Sequence, residues 1–159
     1  MRDLTTLIDA ICDAYDNQAF TPTPQGVTFC NMAVASIAEA IGCHDLTGKT
    51  ADEMVAYLES SSQWSLVPLE KSQEMANNGS LLIAALDSAE LGQSHGHVVV
   101  IRPGKQVYSG KWGLCPRVLN IGSQNFIARA KTGPLTNQPC GLNESFVPLP
   151  KIWGWRLSL

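Results

Sequence analysis

A thiol nucleophile needs a base within hydrogen-bond reach, and often a third polar group that orients the base. Cys30 sits where such a thiol would be useful. It lies in Thr28-Phe29-Cys30-Asn31-Met32-Ala33-Val34-Ala35-Ser36-Ile37-Ala38-Glu39-Ala40-Ile41-Gly42. Ala33, Val34, Ile37, Ala38 and Ile41 recur at helical spacing and predict one apolar stripe. Gly42 follows the stripe as a helix-ending glycine, and Thr28 stands where an N-cap would stand. Cys30 then falls in the first turn, among free N–H groups at the positive end of the helix dipole. Both favour a thiolate. The same place would also suit a small core residue that starts a buried helix, and a partner base elsewhere in the chain decides between the two readings.

The candidate bases are His44, His95 and His97. His44 follows the end of the Cys30 helix, roughly 18–20 Å from Cys30 at the helical rise per residue, which is too far. His97 opens the β-branched run His97-Val98-Val99-Val100-Ile101, so a sheet would fix its direction. His95 lies in the loop before it and is less constrained. A histidine starting a strand, paired with a cysteine starting a helix, is the constellation of a cysteine hydrolase.

The elements that must hold this pair follow from periodicity. Leu4, Leu7, Ile8, Ile11, Cys12 and Tyr15 predict a first helix over about residues 3–16. Pro22, Pro24 and Gly26 make the next stretch a loop that feeds into Cys30. Thr50 and Glu53 form a capping box, with Met54, Val55 and Leu58 as the apolar face behind it. Residues 70–77 read as a short polar helix or turn. Strands are predicted over about 80–86, 97–101, 106–109, 117–122 and 152–157. Residues 133–150 carry Pro134, Pro139, Pro148 and Pro150 and read mostly as loop. Helices come first and strands second, which predicts an α+β domain with an antiparallel sheet. No repeat or low-complexity tract divides the chain, so residues 1–159 are expected to form one domain.

Composition limits the function. The chain has 159 residues with a formal net charge of −3 and no dense basic run, which argues against a nucleic-acid footprint. No window approaches the roughly 20 apolar residues of a membrane helix. Acids interrupt the apolar N-terminal run, which is therefore not read as a secretory signal peptide. The five cysteines Cys12, Cys30, Cys43, Cys115 and Cys140 show no Cys-x-x-Cys spacing, so no metal site is expected and no cofactor is implied. A Cys115–Cys140 bridge would need an oxidising compartment.

The Cys30 helix, the stretch Gly79-Ser80-Leu81-Leu82-Ile83-Ala84-Ala85-Leu86, and Gly96-His97-Val98-Val99-Val100-Ile101 together resemble the papain-like cell-wall peptidases of the NlpC type. Within them the chain is most similar to the type VI secretion amidase effectors, in overall order and length from about residue 4 to the C-terminus. The resemblance implies a papain-like fold, with N-terminal helices packed on an antiparallel sheet. It implies hydrolysis of amide bonds in peptidoglycan stem peptides, with the bond between D-glutamate and meso-diaminopimelate as the first expectation. Cys30 would be nucleophile and His97 general base, with the backbone N–H of Cys30 as an oxyanion donor. It implies an antibacterial toxin secreted without a signal peptide, acting in the periplasm of a target cell, with an immunity protein blocking the active site as its partner. The third catalytic group departs from the pattern. About a dozen residues beyond His97 the chain has Ser109, a poor orienter. Asn120 is the nearest polar candidate on the next strand, and an amide oxygen can accept from an imidazole N–H. Asn120 reads equally as a turn residue before Gly122. Trp64, Trp112, Trp153 and Trp155 read as core and cleft wall, and Tyr108, Lys111 and Trp112 as candidate cleft residues. Two alternatives stay open: a phage-type endolysin with the same chemistry, and an inert binding module of the same fold. A transacylase or protease on protein substrates would share the dyad.

Overall fold

A computed structural model of the chain describes residues 3–122 and 141–159. The first helix begins where Asp3 accepts the Thr6 N–H at 3.1 Å, and α1 runs Leu4–Asp16. The α2 helix spans Cys30–Ile41 and ends on Gly42 at φ 103°, a left-handed backbone that glycine adopts without strain. The start of α2 corrects one expectation. Its N-cap is Phe29, not Thr28, and no side chain caps it. The α3 helix, Ala51–Ser60, has the expected capping box between Thr50 and Glu53.

The strands are β1 (Trp64–Leu66), β2 (Leu82–Leu86), β3 (His97–Ile101), β4 (Val107–Ser109), β5 (Gly113–Cys115), β6 (Val118–Leu119) and β7 (Lys151–Trp155). Between them lie α4 (Leu69–Asn77), α5 (Ser88–Leu91) and α6 (Leu142–Ser145). Five strands form one antiparallel sheet in the order β1-β7-β2-β3-β6. The stretch expected as a third sheet strand is instead β4, which pairs only with β5 in a separate hairpin. The fourth shortens to β6, with Asn120 just beyond it. Of the stretch read as loop, residues 133–140 lie outside the described residues, and α6 interrupts the remainder.

The sheet is buried on both faces. Leu81, Ile83, Ala85, Val98, Val100, Trp153 and Trp155 pack with α1, α2 and α3. Leu82, Ala84, Leu86, Val99, Ile101 and Ile152 pack on the other side with Ala76 of α4, Cys115, Leu142 and Phe146. The alternation along each strand therefore sends neighbouring residues into different cores, which is why β2 and β3 read as unbroken apolar runs. The architecture is mixed α+β, in three layers. Among the described residues no helix is long and apolar enough to cross a membrane.

Candidate active site

Cys30 is the first residue of α2 and belongs to the first core, with 7% of its surface exposed. Its thiol lies among the N–H groups of Val98, Asn31 and Cys30 itself. The Val98 contact places the sulfur beside the second residue of β3, next in the chain to His97. No side chain caps the start of α2.

His97 is held from the other layer. Its ring packs against Phe146 with centroids 5.2 Å apart and planes inclined by 48°. A Cβ on Gly122 would stand 3.4 Å from the imidazole Cε1, so that glycine lets the neighbouring chain lie close along the ring. The Nε2 nitrogen is 2.8 Å from Asn120 Oδ1. An amide oxygen can only accept, so this bond puts the ring proton on Nε2 and leaves Nδ1 as the basic nitrogen. Asn120 is buried at 7% exposure and orients the imidazole. Ser109, the alternative, is engaged elsewhere: its Oγ accepts the N–H groups of Lys111 and Trp112, both at 3.2 Å, and closes the β4–β5 turn.

Cys30, His97 and Asn120 line one cleft of about 810 Å³. Gly26 and Thr28 from the loop before α2, His95, Lys111, Glu144 and Val147 complete much of its wall. Lys111 meets the expectation of a cleft residue. Tyr108 does not, being 75% exposed on the hairpin, and Trp112 packs half-buried against the second core. Trp64, Trp153 and Trp155 are buried in the first core. His44 lies beyond the far end of α2, exposed, with Nδ1 2.5 Å from Glu39. The segment around Phe146 was not predicted, because the proline-rich stretch carries no periodic signal.

The electrostatics also differ from expectation. Burial pushes the Cys30 thiol above its ordinary value, and the N–H groups of Val98, Asn31 and Cys30 oppose that shift without cancelling it. Burial likewise holds the His97 imidazole below its ordinary value, against the bond to Asn120. Burial thus opposes ionisation of both groups, and the helix start alone does not make a thiolate. Cys12, Cys43 and Cys115 are free thiols outside the cleft. Cys115 ends β5 in the second core. Cys140 lies outside the described residues. No group of metal-ligating side chains is present among the described residues. No protein-family model matches the chain, and no curated protein matches it at a significant level.

Proposed function

We propose that the protein is a papain-like cysteine amidase of the NlpC type that hydrolyses amide bonds in peptidoglycan stem peptides, the D-glutamate–meso-diaminopimelate bond first among them. The observation that carries the chemistry is the His97–Asn120 hydrogen bond, facing the same cleft as a thiol at an uncapped helix start. The substrate class rests on the resemblance of the Cys30 and His97 segments to the secreted amidase effectors.

In this mechanism a stem peptide enters the cleft and its scissile carbonyl approaches Cys30. The thiol proton passes to Nδ1 of His97 as sulfur bonds to the carbonyl carbon. The oxyanion accepts N–H bonds from the start of α2. The imidazolium, stabilised by Asn120 at Nε2, gives its proton to the leaving amine. The C–N bond breaks and a thioester remains. Water then attacks the thioester with His97 again as base, and the acid product and the free thiol return.

As an effector the protein would act in the periplasm of a target cell, and its producer would hold an inhibitor that seats in the cleft. Pull-down from the producing cell would recover that inhibitor. The burial of Cys30 favours a second reading, an inert module whose thiol is only a core residue. Digestion of purified sacculi by wild type and Cys30→Ala, with fragments weighed by mass spectrometry, decides between them. Stem-peptide cuts by wild type alone support the amidase. Intact sacculi with both proteins overturn it.

A further inference from the structure

Cys30 belongs to the first core and His97 packs on Phe146 of the second. The sheet lies between these cores, and besides the direct contact of the Cys30 sulfur with the Val98 N–H a second connection is made at the sheet's end. Residues 49–52, which lead into the first turn of α3, make that connection. On one side Asn31, the residue after Cys30, donates from Nδ2 to the Lys49 carbonyl at 2.9 Å. On the other side Asp52 grips the segment that leads into His97. Its Oδ1 accepts the Ser88 N–H at 2.8 Å and its Oδ2 accepts the Ser88 hydroxyl at 2.5 Å.

Gly96 supplies an independent sign of the same contact. A Cβ there would stand 2.5 Å from Asp52 Oδ1 and 2.9 Å from the Leu86 carbonyl. The residue immediately before His97 therefore lies against the Asp52 carboxylate, with no room for a side chain. Between the two grips the backbone is fixed by the capping box. Thr50 N–H donates to Glu53 Oε1 at 2.9 Å, and Glu53 N–H to Thr50 Oγ1 at 3.2 Å.

We propose that residues 49–52 form a strut that, together with the Cys30–Val98 contact, sets the distance between Cys30 and His97, with Asn31 and Asp52 as positioning residues. The proposal rests on the reading of Cys30 and His97 as nucleophile and base. Asp52 acts through Ser88 and Gly96, so its effect is on the alignment of the base.

The test is the pH profile of Cys30 alkylation by iodoacetamide in the full chain, read by peptide mass spectrometry. Wild type is expected to show a neutral plateau in which His97 takes the thiol proton, followed by an alkaline rise from the free thiolate. His97→Ala removes the plateau and keeps the rise. Asp52→Ala should lower the plateau roughly 10- to 100-fold, as displacement of a catalytic group by about an ångström does. The alkaline rise stays unchanged. Asp52→Asn, whose amide oxygen can still accept the Ser88 N–H, should restore most of the plateau. A wild-type plateau in Asp52→Ala, or an equal loss in Asp52→Asn, overturns the strut. If Asp52→Ala loses its fold by circular dichroism, Ser88→Ala takes its place, and a wild-type plateau there also overturns it. Identical profiles for wild type and His97→Ala instead refute the dyad.

Discussion

At Cys30 two effects oppose each other, and burial is the larger. At His97 burial again favours the neutral form, against Asn120. In the proposed mechanism the pair holds one proton to be shared between sulfur and nitrogen. The rate of stem-peptide hydrolysis should show an acid limb below pH 6.5, where His97 charges, and an alkaline limb above pH 9.0, where Cys30 loses its proton. A kcat/KM profile measures both. Because Asn120 raises the His97 pKa, Asn120→Ala should move the acid limb lower still and reduce kcat about 100-fold by losing the ring's orientation. An acid limb that stays in place in that variant would remove Asn120 from the site. Cys30→Ala should abolish hydrolysis, by on the order of 10⁶ in the serine-protease precedent, and cost only about 1–2 kcal/mol of stability. Denaturant unfolding alongside the digestion separates the two effects.

The helix starts and strand ends are where the site is made. Gly96 lies in van der Waals conflict with any added side chain, so Gly96→Ala must displace Asp52, the Leu86 carbonyl, or the strand itself. It should cost about 1–3 kcal/mol in unfolding free energy, as overpacking does, and slow Cys30 alkylation as well. Gly48→Ala, which meets no atom within 4 Å but stands at φ 81°, provides a control in which strain is present without contact with the strand. Its stability should fall while its alkylation profile stays unchanged. The sequence discloses features whose cause is local. Thr50 and Glu53 find each other three residues apart, Gly42 ends its own helix, and the His97–Ile101 strand has the bounds expected of its apolar run. Features made by distant partners were hidden. β1 is three residues long and exists through its pairing with β7. Phe146 meets His97 across a long separation in the chain. Thr28 looked like a cap by residue type, yet the helix starts one residue later than that cap requires, with Phe29 at its N-cap. Cys30 and His97 were legible because each opens a periodic element, whereas Asn120 follows a strand of only two residues.

Across the whole molecule, the half-buried His97 imidazole, whose charging burial opposes, links the site to folding. The folded-state pKa of His97 lies below the unfolded value of 6.5. Its contribution to stability is therefore present above pH 6.5 and is lost as pH falls through the folded value, because the unfolded chain takes up the proton first. His97→Gln should flatten that part of the stability curve, measured by urea unfolding at a series of pH values. An unchanged slope in the variant would mean that other groups govern the acid limb.

The three-layer arrangement has one more consequence. All of α1, α2 and α3 precede the turn at residues 61–63, whereas β3 and Asn120 follow it. A single cut in that turn would leave the thiol on one fragment and the imidazole on the other. On the proposed mechanism, hydrolysis would then occur only when the two pieces reassemble, making the chain a candidate for a split reporter whose signal is the meeting of its halves.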